Sequence, residues 1–135
     1  MTAAERGPIM VVDDDEDVRE IVRMLFEADG YRVLTAADGL EAWRAISLGE
    51  RPAVILLDLM MPHMDGEQFL HKLRTSTLGS VPVVIMSGHT SARERARQLR
   101  AADCLTKPFD LDELLRTVDR FLPADRSQGA PPSAP

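Results

Sequence analysis

The stretch Ala53-Val54-Ile55-Leu56-Leu57-Asp58-Leu59-Met60-Met61-Pro62-His63-Met64-Asp65-Gly66 decides the architecture, because an unbroken apolar run stops at a carboxylate and is followed by a proline and a glycine. A strand apolar at every position is covered on both faces, the habit of parallel sheets flanked by helices. Three further apolar runs stop at polar groups in the same way. Ile9-Met10-Val11-Val12 stops at Asp13-Asp14, Val81-Pro82-Val83-Val84-Ile85-Met86 at Ser87, and Cys104-Leu105-Thr106 at Lys107. In neighbouring parallel strands these acids, the hydroxyl and the ammonium would converge on the carboxyl edge of one sheet, where open α/β sheets place their sites.

Between the runs lie segments of helical period, giving five βα pairs and an α/β, doubly wound parallel sheet. Val18, Ile21, Val22, Leu25 and Phe26 recur at helical spacing over 15–28, and Gly30 ends that helix. Residues 31–35 alternate and read as an edge strand, followed by a helix over 40–48 with Gly49 as its stop. Helices are further expected over 67–74, 91–102 and 111–122, the last capped by Asp110, with Leu114, Leu115, Val118, Phe121 and Leu122 on its apolar side. Pro82 donates no ladder hydrogen bond and belongs at the start of its strand. The expected organisation is an N-terminal extension over 1–7, one domain over 8–123, and a disordered tail or cut linker over 124–135, where little can be buried.

The totals agree with one compact unit. A chain of 135 residues suits a single core. The formal net charge of −6 argues against a general nucleic-acid surface, which draws its affinity from cations displacing phosphate counterions. Cys104 is the only cysteine, and no apolar run approaches the roughly 20 residues that span a bilayer, so a cytoplasmic protein without membrane insertion is expected.

Three acids at two strand ends, Asp13, Asp14 and Asp58, offer the hard oxygen ligands that Mg²⁺ prefers. Asp58 is also a candidate nucleophile toward phosphorus, with the cation offsetting repulsion between two anions. Lys107 supplies a point charge and Ser87 a donor for phosphate oxygens. Taken singly, each has a plainer reading: Asp13 and Asp14 as turn or cap residues, Ser87 as a helix-entry cap, Gly88 as a turn, Lys107 as a solvated charge. Only Lys72 and Lys107 are lysines among 16 basic residues, which favours a selected role for a lysine at this edge.

With Val11-Val12-Asp13-Asp14-Asp15, Asp58 with Met61-Pro62-His63-Met64-Asp65-Gly66, Ser87-Gly88 and Lys107-Pro108-Phe109, the chain resembles a response-regulator receiver domain of the single-domain chemotaxis-regulator type, from Ile9 to Leu122. The resemblance implies a flavodoxin-like (βα)5 fold with strand order 2-1-3-4-5. It implies that Asp58 accepts a phosphoryl group from a phosphohistidine of a sensor histidine kinase or histidine phosphotransfer domain. It places Mg²⁺ on Asp14, Asp58 and the Met60 backbone carbonyl, with Asp13 acting through a water. Lys107, Ser87 and Gly88 would contact the phosphoryl group, and a cis peptide would precede Pro108. Met60 and His89 occupy the positions that tune dephosphorylation, and Cys104 stands where the family often carries an aromatic switch residue. The output face would run over 91–122 and engage a downstream protein or form a phosphorylation-dependent dimer. The spacing from Ser87 to Lys107 is about two residues shorter than is usual in the family, with Arg100 where a turn glycine is common, which implies a short or displaced fourth helix.

Two other classes compete. A phosphatase of the dehalogenase type also uses a strand-end aspartate, but its second acid two residues later is replaced by Met60. A binding module could retain the fold alone. Neither G-x-x-x-x-G-K-[ST] nor G-x-G-x-x-G occurs in the chain. Elsewhere the plainer readings hold: Arg93, Arg95, Arg97 and Arg100 as a solvated face, Trp43 as packing, His63 and His71 as surface residues, Cys104 as a small buried hydrophobe.

Overall fold

The computed structural model describes residues 2–61, 63–88 and 90–123. After a 3-10 turn at Ala4–Arg6, five βα pairs follow in order: β1 (Ile9–Val12), α1 (Glu16–Ala28), β2 (Val33–Ala36), α2 (Gly39–Ser47), β3 (Val54–Asp58), α3 (Gly66–Arg74), β4 (Val83–Ser87), α4 (Ala92–Gln98), β5 (Asp103–Thr106) and α5 (Leu111–Phe121). All neighbouring strands are parallel, in the order β2-β1-β3-β4-β5, so the alternating strand β2 lies at an edge as its pattern predicts.

Strand pleating divides the apolar residues into two cores. Ile9, Val11, Val54, Leu56, Val84, Met86 and Leu105 pack with Val22 and Phe26 of α1 and with Leu114 and Val118 of α5. Met10, Val12, Ile55, Leu57, Val83 and Ile85 pack on the other side with Ile46 of α2, with Phe69 and Leu73 of α3, and with Ala92 and Ala96 of α4. Each buried large side chain stabilises the fold by about 1.5–3 kcal/mol, so two sided burial explains why β3 and β4 tolerate no polar residue before their last position.

Aspartates start the helices. Asp15, Asp38, Asp65 and Asp110 cap α1, α2, α3 and α5 by accepting backbone N–H groups, and Asp65 forms a reciprocal capping box with Gln68. Asp15 is therefore a cap where the periodicity counts it as helical, and α5 begins behind Asp110 as predicted.

The helix ends explain the two larger departures. Helices α1 and α2 close with paired bonds, Gly30 N–H to Glu27 and Tyr31 N–H to Phe26, then Gly49 N–H to Ile46 and Glu50 N–H to Ala45, with glycine at positive φ in each. Tyr31 is consumed by this closure and packs edge-on against Phe26, which is why β2 starts at Val33 and not at residue 31. Helix α4 closes in the same manner, through Arg100 N–H to Arg97 (3.1 Å) and Ala101 N–H to Ala96 (2.9 Å). Here Arg100 takes the left-handed conformation, φ 57°, and α4 spans seven residues instead of 91–102. A side chain in that conformation costs roughly 1 kcal/mol more than glycine. Arg100→Gly is therefore expected to stabilise the protein by about 0.5–1 kcal/mol, read as a higher urea midpoint at unchanged slope.

Among the described residues no helix is long and apolar enough to cross a membrane. The tail over 124–135 lies outside the described residues.

Candidate functional site

The four strand ends meet as the parallel order of the sheet dictates. Asp13 follows β1 and donates its N–H to the Ala36 carbonyl (3.0 Å); Asp58 ends β3 opposite Met86; Ser87 ends β4 opposite Thr106; and Lys107 follows β5, its N–H on the Ser87 carbonyl (2.9 Å). Strands β1 and β3 are adjacent, with Val12 beside Leu57, so the next residues of the two strands, Asp13 and Asp58, come side by side.

Asp13 is fully buried and both its oxygens are engaged. Oδ1 accepts the Asp15 N–H at 2.9 Å and Oδ2 lies 2.6 Å from Lys107 Nζ. Its own carbonyl accepts a hydrogen bond from Arg19 (2.8 Å). Asp58 is 7% exposed, accepts the Met60 N–H on Oδ1 at 3.1 Å, and has Oδ2 3.6 Å from Lys107 Nζ. Asp14 is exposed at the rim, and carboxylate oxygens of Asp13, Asp14 and Asp58 all lie within 4.8 Å of one another.

This crowding has an electrostatic signature. Burial, reinforced by the charges of Asp13 and Asp14, pushes the Asp58 carboxyl from the ordinary 3.8 up to about 6, against the opposing pull of the Met60 N–H and Lys107. Burial also works against the Lys107 ammonium, but its hydrogen bond to Asp13 and the charges of Asp13 and Asp58 outweigh it and raise the lysine. Three carboxylates facing one ammonium leave a net negative cluster of hard oxygen donors. That donor set fits a divalent cation of the Mg²⁺ type and offers no soft ligand for a thiophilic metal.

The remaining predicted residues fall at differing distances from this cluster. Ser87 is buried and lines a crevice of about 150 Å³ with Met60, Glu67 and Arg95, while Gly88 is exposed near Lys107. Met60 is 70% exposed. Cys104 is buried in β5 opposite Ile85, and burial raises its thiol pKa, so it behaves as a core residue. The Lys107–Pro108 peptide is cis. His89 lies outside the described residues.

Sequence patterning misses how the loop after Asp58 is fastened. Gly66 closes directly on β3: its N–H donates to the Leu59 carbonyl (3.1 Å), and a Cβ there would stand 2.3 Å from the Asp58 carbonyl oxygen. His63 is exposed, as expected, yet its Nδ1 lies 2.8 Å from Asp38 Oδ2. The charged helix is also less free than its composition suggests. Arg95 forms a two-pronged ion pair with Glu67 of α3, tying α4 to α3 beside the crevice, whereas Arg97 pairs along its own helix with Glu94.

The family model of the response regulator receiver domain matches residues 9–119. Response regulator MprA of Mycobacterium ulcerans is 43% identical over 116 residues, which are 84% of this chain and 49% of that protein. Its namesake in Mycobacterium bovis is 40% identical over 124 residues, 90% of this chain and 53% of that protein, so the chain spans about half the length of the curated relatives it matches. Among solved structures, the Vibrio cholerae chemotaxis protein CheY4 superposes with a TM-score of 0.77 at 33% identity, covering 86% of this chain and 98% of that one. The receiver domain of a Pseudomonas aeruginosa sensor histidine kinase, solved with a magnesium ion coordinated in its active site cleft, superposes with a TM-score of 0.76 at 30% identity, covering 85% of this chain and 96% of that one. Parallel order, convergent strand ends and these likenesses agree: the chain belongs to the response regulator receiver domain family of two-component signalling.

Proposed function

We propose that Asp58 is the phosphoacceptor of a two-component relay, taking a phosphoryl group from a phosphohistidine on a sensor histidine kinase or phosphotransfer protein. The observation that carries this reading is the position of Asp58 itself: a nearly buried carboxylate at a parallel-sheet edge, with two acids and one lysine as its charged neighbours. In the transfer an Asp58 oxygen forms a bond to phosphorus while the phosphorus–nitrogen bond breaks and its electron pair leaves with the imidazole. Lys107 lies close enough to share its charge with oxygens arriving on Asp58. The Met60 N–H orients the carboxylate, and Asp13 holds Lys107 in place. Asp14, Asp58 and the Met60 carbonyl would hold Mg²⁺, with Asp13 reaching it through a water. When bound, the cation offsets repulsion between the carboxylate and the incoming phosphoryl oxygens.

The output would leave through 91–122, where Ser87 and the Arg95–Glu67 tie connect the site to α4. Phosphorylation is proposed to shift a two-state equilibrium there, changing affinity for a downstream protein or a second copy. The packed, buried Cys104 replaces the aromatic switch, so the Ser87 crevice and the α3–α4 tie are the proposed route.

Incubation with Mg²⁺ and a small phosphodonor is expected to add one phosphoryl group, about 80 Da, to the intact chain and none to Asp58→Ala. Labelling that survives in Asp58→Ala would refute the assignment. Because a proton and a cation compete for Asp58, Mg²⁺ affinity is expected to hold above pH 6 and to fall by up to about tenfold per pH unit below it. Calorimetric titration between pH 5 and pH 8 checks this.

A further inference from the structure

The loop that carries the Met60 carbonyl is fastened by residues outside the Asp13–Asp14–Asp58 cluster. Asp38 is 7% exposed and uses its two oxygens differently: Oδ1 caps α2 through the Glu41 N–H (2.9 Å), and Oδ2 reaches across to His63 Nδ1 (2.8 Å). The neighbouring Gly39 donates its N–H to the Met64 carbonyl at 2.9 Å, and a Cβ on Gly39 would stand 2.6 Å from that oxygen. The start of α2 thus grips the loop twice, at residues 63 and 64.

Two features mark the grip as more than incidental contact. His63 is held at φ 63°, a left-handed backbone that a residue with a side chain adopts at a cost. The loop then turns into Gly66, which lies against the Asp58 carbonyl so closely that no side chain fits between them. Slackening at 63–64 would pass through Gly66, whose N–H holds the Leu59 carbonyl, to the adjoining Met60, whose N–H orients the Asp58 carboxylate.

We infer that the Asp38–His63 hydrogen bond is a positioning pair that sets the Met60 carbonyl and the Asp58 carboxylate for cation binding. The inference rests on the Mg²⁺-dependent reading of Asp58 above. Neither residue touches the reacting atoms; both act through the loop. Groups that orient metal ligands without themselves touching the metal commonly change affinity by 10–100-fold when removed.

The test compares His63→Gly with His63→Asn. Both accept the left-handed backbone, but Asn also places an N–H donor on its δ nitrogen, where His63 Nδ1 stands, whereas glycine has none. Mg²⁺ titration is expected to show about tenfold weaker binding for His63→Gly and near-native binding for His63→Asn. In an Asp38→Ser background, which keeps an N-cap acceptor for α2 but is too short to reach His63, the further loss from His63→Gly should shrink to less than about twofold. Amide hydrogen exchange of Met60 in metal-free protein is a second readout, expected to quicken about fivefold in His63→Gly alone. Native Mg²⁺ affinity and native Met60 exchange in His63→Gly would overturn the pair's role. So would an equal loss with and without Asp38. If the unaltered protein bound no Mg²⁺, the reading of Asp58 would fail, while Met60 exchange would still decide whether the pair positions the loop.

Discussion

Asp58→Asn is expected to abolish phosphorylation and, in metal-free buffer at pH 7, to make the protein more stable. The sign follows from the raised carboxyl. Because folding moves Asp58 from 3.8 to about 6, its protonation favours the folded state; that contribution is full below pH 3.8 and is lost as pH rises through about 6. Above that window the ionised group opposes folding by at most about 3 kcal/mol, the equivalent of the shift. Asn keeps the shape and can still accept the Met60 N–H, while forfeiting the attraction of Lys107, so a net gain of about 1–2 kcal/mol is expected. Denaturant melts should show the gain at pH 7, a smaller one near pH 4.5, and a reversal when Mg²⁺ is added, because only the unaltered protein gains binding free energy. A variant less stable than its parent at pH 7 without metal would contradict the charge crowding described for this edge.

Lys107→Met carries the largest expected loss. The substitution keeps the aliphatic stem and removes the one ammonium beside a fully buried Asp13 carboxylate, 2.6 Å away. Breaking one side of a buried pair leaves the other charge without its cation, and about 3 kcal/mol is the expected cost in metal-free buffer. The Asp15 N–H remains on the other oxygen of Asp13 and keeps the cost from being larger. In the Asp13→Asn background the same change should cost about 1 kcal/mol or less, so a double-mutant cycle isolates the pair. Saturating Mg²⁺ is expected to return part of the loss by supplying positive charge to the same acids. Phosphorylation should slow in parallel, measured as the initial rate with a small phosphodonor.

The sheet was legible because burial on both faces writes itself into composition: 54–57 and 83–86 carry no polar residue, and each run breaks at the residue that reaches the edge. Asp13, Asp58, Ser87 and Lys107 were legible for the same reason. What patterning could not give was pairing. Nothing in the spacing says that Lys107 lies nearer to Asp13 than to Asp58, since that depends on side-chain reach across the switch between β1 and β3. The end of α4 was hidden from periodicity for a different reason, although the resemblance, with Arg100 in place of a turn glycine, implied the short helix that is found. A helix stop is read from glycine, and Arg100 fills the glycine position while its N–H and that of Ala101 still make the two closing hydrogen bonds. His63 was readable as exposed but not as a tether, because its partner, Asp38, is a helix cap 25 residues away.

The N-terminal turn has a practical corollary. Arg6 donates through Nε to the Pro123 carbonyl (2.6 Å), lies near Asp119 (3.6 Å) and bonds the Tyr31 hydroxyl, so the residues entering β1 and leaving α5 sit together at the amino edge of the sheet. The acid cluster is at the opposite edge. A few-residue linker joining positions 6 and 123 would leave every strand and the whole cluster in place, so the domain is suited to circular permutation. By the same geometry it can be spliced into a surface loop of a host protein, entering and leaving through neighbouring points, with its chemistry facing away from the graft.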